Sequence, residues 1–300
     1  MSLEIFGFRA LWSPYFFLFV LLILAGYYMI TIKYRGKFKS SEPLTRRQGV
    51  YFTVAMAVLY AIKGSPVDLM GHLMFYAHMI QMAILYLVVP PLVVMGIPQW
   101  VWRAVINHKA IKPVFRLFTK PLVAIILFNG VFSMYHIPDV FDVVKTDMML
   151  HTVYTSALFL LAIFMWWPTI NELPEMESLD GLRKVGYVFA NGVLLTPACA
   201  LIIFADTPMY NTYSDPNAWA QALQLCVPSA TLASLNLSGP EMFNSMSLIH
   251  DQQLGGVIMK IIQEIVYGII LAQIFYAWYK KEQEITPSEE EPLLNPHLVK

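Results

Sequence analysis

The feature that most constrains this chain is a series of apolar runs, each close to the roughly 20 residues a helix needs to cross a bilayer. They lie near 14–33, 48–63, 71–95, 121–136, 147–167, 184–205 and 255–279, the second and fourth being short for a full span. In hydrocarbon every backbone N–H and C=O must find its partner within the segment, so each run is read as a helix. Only 13% of the residues are charged, against roughly 25% in a soluble domain. The sequence therefore predicts an all-α integral membrane protein: about seven transmembrane helices in one domain over 1–281, followed by a cytoplasmic tail over 282–300.

Local signals refine this layout. Pro14 to Ile32 runs straight into Lys33, Tyr34 and Arg35, which reads as a retained first span and not as a cleaved signal. Pro90 and Pro91 stand at one end of the third run, where they free backbone carbonyls and end or bend the helix. Segment 99–120 mixes Trp100, Trp102, Ile106 and Phe115 with Arg103, Lys109, Lys112 and Arg116, the pattern of an interfacial helix.

Lys and Arg bias sets the orientation of such a bundle. Lys33, Arg35, Lys37, Lys39, Arg46 and Arg47 follow the first run, Arg103 to Lys120 follow the third, Arg183 and Lys184 precede the sixth, and Lys280 and Lys281 follow the seventh. The alternate connections hold only Arg9, Lys63 and Lys145, and segment 206–254 has no Lys or Arg. The expected topology has the N-terminus outside, the C-terminus inside and 206–254 as an outer loop. A formal net charge of zero gives no reason to expect a nucleic-acid partner. Cys199 and Cys226 are too few and too far apart for a thiolate zinc site or a redox CxxC, and Cys226 is expected to be reachable from outside.

On that topology His72, His78, His136, His151 and His250 gather at the outer boundary, while His108 and His297 lie inside. Ionisable groups within spans are costly and usually face the bundle interior or a cavity. Residues four apart share a helix face, so Met74, His78 and Met82 are expected to form one stripe, with His72 pointing elsewhere. Imidazole suits several transition metals, and thioether sulfur selects Cu(I). The candidate ligands are therefore His78, His136, His151, His250, His72, Met82 and Met74, with Asp147, Tyr154 and Asp251 as groups that orient the imidazoles. The bland alternative is that the methionines, of which there are 17, only fill the core. Lys260 and Glu264 are spaced for an ion pair. No phosphate-cradling glycine loop, HExxH or nucleophile elbow is present, and the expectation is a carrier and not an enzyme.

The run His78-Met79-Ile80-Gln81-Met82 through Pro90-Pro91 and Gly96-Ile97-Pro98, the segment His136-Ile137-Pro138-Asp139 with His151 downstream, and Asp251-Gln252-Gln253-Leu254-Gly255-Gly256 resemble CtaG, the multi-span cytochrome c oxidase assembly factor of Gram-positive bacteria. The resemblance covers nearly the whole chain. Where that family often carries further histidines, this chain has Met82 and Thr155, so a purely imidazole site is not what it implies. It implies a multi-pass protein of the bacterial cell membrane that works with cytochrome c oxidase subunits, needed for active haem A and copper oxidase through delivery of Cu(I) to the buried copper centre. Two other functions remain in contention: a haem-binding membrane redox protein with paired histidines as axial ligands, and a metal-free scaffold for oxidase subunits. Homo-oligomerisation is open.

Overall fold

The computed structural model describes residues 2–38, 40–235 and 237–285; the expected tail falls almost entirely outside them. Among the described residues every regular element is helical. In chain order the helices used below are α1 (Pro14–Tyr28), α2 (Arg46–Lys63), α3 (Pro66–Leu73), α4 (Phe75–Ala83), α5 (Val89–Gly96), α6 (Ile111–Phe118), α7 (Pro121–Tyr135), α8 (Pro138–Thr146), α9 (Met148–Ile170), α10 (Gly181–Ile203), α11 (Pro216–Leu223) and α12 (Leu248–Ile285).

Among the described residues five stretches are long and apolar enough to cross a membrane, and seven are if each of two bent pairs counts as one span. The bent pairs are α2 with α3, at 44°, and α6 with α7, at 79°. They explain why the second and fourth apolar runs are short: each begins or ends at a proline that starts a new helix. Pro66 and Pro121 occupy the first turns of α3 and α7, where a missing N–H costs nothing. Ser65 caps α3 by accepting from Val67 N.

The run 71–95 is not the continuous helix expected. Met74 is extended, with φ −136° and ψ 137°, so His72 ends one helix and His78 belongs to the next. The break is stabilised from 176 residues away: Asp251 accepts from Phe75 N at 2.9 Å and from Tyr76 N at 3.0 Å, satisfying donors that the first turn of α4 leaves free. Gly255, one turn further along α12, is packed so closely on this turn that a Cβ would meet Phe75 Cδ1 at 2.8 Å. Beyond α4 a π turn spans Ile84–Val88. Pro90 cannot donate to the carbonyl four residues back, that of Tyr86, and the indole of Trp166 on α9 donates to it at 3.1 Å.

Segment 206–254 is not a plain loop. It folds into short helices, α11 among them, that bury Tyr210, Tyr213 and Trp219, and α12 already begins at Leu248. The connection after α7 is also helical, as α8. Together these caps cover the end of the bundle that carries the histidines. α12 packs between α10 and α4, and α9 lies against α7 and α5. Segment 99–120 forms two short amphipathic helices, Gln99–Ile106 and α6, at the opposite end.

Candidate metal centre

Four of the five clustered histidines meet. His72 on α3, His78 on α4 and His136 at the end of α7 are buried, and His151 on the first turn of α9 is half-buried. The rings of His72 and His151 are 6.0 Å apart. His78 and His136 flank the same two aromatic rings: Tyr135, at 6.0 and 5.2 Å, and Phe141, at 5.2 and 6.4 Å. Phe75 and Tyr213 complete the wall around His78.

The imidazole nitrogens fall into two classes. His136 Nδ1 lies 2.7 Å from Phe132 O. A carbonyl only accepts, so Nδ1 carries the hydrogen and Nε2 presents a bare lone pair. That Nε2 is buried without a partner, as are both nitrogens of His78 and Nδ1 of His151. A buried polar group left unpaired costs about 1–3 kcal/mol, and the aromatic surround offers these nitrogens nothing. His72 is different. Its Nδ1 receives Lys145 Nζ at 3.3 Å, and its ring is also hydrogen-bonded to the backbone of Ala222, so its capacity is used within the fold.

Lys145 is the residue that spacing did not single out. It is 1% exposed, donates to Gly71 O as well as to His72, and lies 5.5 Å from the centre of the Tyr213 ring. Tyr213 OH donates to the same Gly71 carbonyl. Burial, reinforced by the charge of Lys63, pushes the Lys145 ammonium down to about 7, with Asp68 opposing the shift. The signal was present in the sequence: Lys63 and Lys145 are two of the three cations on the sparse side of the Lys and Arg count. Lys63 reaches Asp68 at 2.6 Å, and Asp68 also accepts from Gln81.

Other candidates have different jobs. His250 is exposed on the first turn of α12, away from the buried rings. Met74 packs with Leu73, Ala77 and Trp219 in a separate apolar cluster, while Met82 lies in the main core one turn beyond His78. The expected stripe therefore reduces to His78 and Met82. Asp147 is exposed and caps α9 by accepting from Leu150 N at 2.7 Å. Tyr154 OH donates to Val131 O at 2.9 Å, and Asp251 holds α4. None of these three orients an imidazole directly. Cys226 is half-buried against the Met74 cluster, and burial raises its thiol well above the ordinary range, so it is a poor probe of the outer face. Lys260 and Glu264 form the ion pair their spacing suggested, at 2.7 Å.

Among the described residues no three His, Cys, Asp or Glu side chains are spaced to ligate one ion. The arrangement is a buried cluster of three histidines with unpaired nitrogens, His78, His136 and His151, with the Met82 thioether one turn from His78 and aromatic rings around them. That donor set suits a soft, low-coordinate ion better than a hard one.

A family model described as cytochrome c oxidase caa3 assembly factor matches residues 25–281, from the last turn of α1 to near the end of α12. No curated protein and no solved structure matches the chain.

Proposed function

The chain belongs to the cytochrome c oxidase caa3 assembly factor family, and from that premise we propose that it serves oxidase assembly by binding Cu(I) at His78 and His136 and passing it to an oxidase subunit within the bilayer. The observation that carries this reading is the set of buried imidazole nitrogens without partners on those two side chains. His136 offers Nε2, fixed in its tautomer by the Phe132 carbonyl, and His78 offers whichever nitrogen lacks its hydrogen. Met82, one turn along α4 from His78, adds a soft donor. Tyr135 and Phe141 exclude water, and half-buried His151 stands at the rim as the first ligand for the ion on its way in. The cargo is a substrate of this carrier, and no bond is made or broken other than those to the metal.

The Lys and Arg distribution supports an orientation with the histidine end outside and the C-terminus in the cytoplasm. Ser229, exposed in the covering segment, tests it better than Cys226: a Ser229→Cys variant should label with a membrane-impermeant thiol reagent in intact cells. Labelling only after lysis reverses the orientation.

Competition of the purified protein against a colorimetric Cu(I) chelator tests the site. His78→Ala should weaken binding at least tenfold, the His78→Ala, His136→Ala pair should abolish it, and Met82→Leu should weaken it less. Full copper retention by the double variant would refute the proposal. A second reading is a scaffold that holds oxidase subunits without metal, in keeping with the family's assembly role. Oxidase isolated from cells lacking the protein decides between them: a low copper-to-haem ratio supports delivery, and scarce oxidase of normal ratio supports the scaffold.

A further inference from the structure

The last helix carries two charges well inside a candidate span, and one of them faces outward. Counting back about 20 residues from the girdle of Phe275, Tyr276 and Tyr279 places the other membrane boundary near residue 256. On that count Lys260 and Glu264 lie about 6 and 12 Å within the apolar zone at 1.5 Å per residue. Lys260 Nζ is 2.7 Å from Glu264 Oε1 and also donates to Thr196 Oγ1 on α10 at 3.1 Å. The side chain of Lys260 is 30% exposed and that of Glu264 is 63% exposed. The lysine is thus anchored toward the bundle while the carboxylate points away from it. Among the described residues Lys260 is the one partner of that carboxylate, which has room to accept several hydrogen bonds.

The surroundings of Glu264 are what lipid would want. Val257, Ile261 and Ile265 on the same face are exposed, and Gly268 has open space where a Cβ would stand. A charge on a face of this kind is costly in hydrocarbon and calls for a partner. If the pair served only to tie α12 to α10, burial between the two helices would serve better than exposure.

We propose that this face of α12 is the docking surface for a second copy of the chain, lying parallel across a two-fold axis along the membrane normal, with Lys260 of each copy reaching Glu264 of the other. The pair itself argues for a second copy. It offers both signs one helical turn apart, so it is self-complementary: a two-fold axis along the membrane normal brings Lys260 of each copy within about 6 Å in depth of Glu264 of the other, a gap the long lysine side chain can span. Val257, Ile261, Glu264 and Gly268 follow the alternating four- and three-residue spacing of a helix–helix seam. Gly268 lets the two backbones approach, which is how membrane helices associate when there is no hydrophobic gain.

Two differently tagged copies test this in mild detergent and in nanodiscs. Wild-type copies should co-purify. Lys260→Glu places like charges at both positions of one chain and Glu264→Lys does the same with the opposite sign, so each alone should lose at least tenfold in self-association. Co-expressed, these two variants should pair with each other, an outcome that a purely intrachain role does not produce. Wild type that is monomeric at every protein-to-lipid ratio, single variants that self-associate like wild type, or a mixed pair that fails to form while both chains show a normal thermal transition would overturn the proposal. Should either charge variant unfold, a Cys199→Ser, Cys226→Ser background carrying Ile261→Cys should form an intermolecular disulfide in native membranes, whereas exposed Leu122→Cys on α7 should not. Crosslinking at Leu122→Cys alone would place any self-contact elsewhere and sink the idea.

Discussion

The two ends of this bundle are held together by different means. At the histidine end, side chains from distant parts of the sequence close on backbone groups: Asp251 on the first turn of α4, Asp142 on Asn211 N and Thr212 N, Gln252 on Met209 N, and Tyr210 on the carbonyl of His136. At the opposite end the links are neutral or exposed: the Tyr27 and Tyr187 hydroxyls donate to the carbonyls of Gly96 and Met165, each at 2.8 Å, and surface ion pairs such as Arg103 with Glu175 at 2.6 Å have side chains 40% and 49% exposed. Buried, charge-assisted bonds to backbone contribute about 1.5–3 kcal/mol each, and exposed pairs contribute about 0–1 kcal/mol. The end with unpaired imidazoles is therefore the one where carboxylates from distant parts of the chain hold backbone groups in place, and such charge-assisted bonds are a means of pre-organising a ligand site.

That contrast can be broken by substitution. The largest effect should come from Asp251→Ala, which removes two bonds at a buried helix start and should cost about 3 kcal/mol, read as a lowered unfolding midpoint in detergent. Asp142→Ala, half-buried and bonded to Asn211 N, Thr212 N and Thr212 Oγ1, should cost about 1–2 kcal/mol in the same assay. Equal, negligible losses for both would mean that the frame is held by packing alone.

A third measurement concerns Lys145. Burial lowers its pKa from 10.5 to about 7. Between those values the unfolded chain binds a proton that the folded chain does not, so this group's contribution to stability rises as pH rises from 7 to 10.5 and falls on acidification. Lys145→Met lacks that slope: relative to wild type it should gain stability as the pH falls from about 10 to about 7. A pH-independent difference in melting temperature between the two proteins would contradict this. The smallest effect is expected at the other end, where Arg103→Gln should change stability by less than about 0.5 kcal/mol.

Much of this was legible in the sequence. Seven apolar runs correspond to five spans and two bent pairs because span length is imposed by the bilayer and helix by backbone satisfaction, both local matters. The grouping of His72, His78, His136 and His151 followed from counting along those runs. What the sequence could not show is which nitrogens stay free, since that depends on tertiary partners: His72 is occupied because Lys145 and Ala222 come to it from 73 and 150 residues away. The break at Met74 escaped notice for the same reason. Nothing in Gly71 to Ala77 resembles a helix stop, and the capping group is Asp251. The covering helices of segment 206–254 were missed because a stretch without Lys or Arg reads as a loop, whereas Tyr210, Tyr213 and Trp219 turn it into a lid.

One consequence of the Asp251 cap is mechanical. α12 is a single helix from Leu248 to Ile285, and a rod of that kind moves as a lever. Asp251 lies near one end of the lever, where it grips the first turn of α4, and Glu264 lies 13 residues along, about 20 Å away at 1.5 Å per residue. An unbroken helix thus joins the outward-facing Glu264 to the carboxylate that grips the start of α4, three residues before His78, and a load on the outer face of α12 bears on that grip.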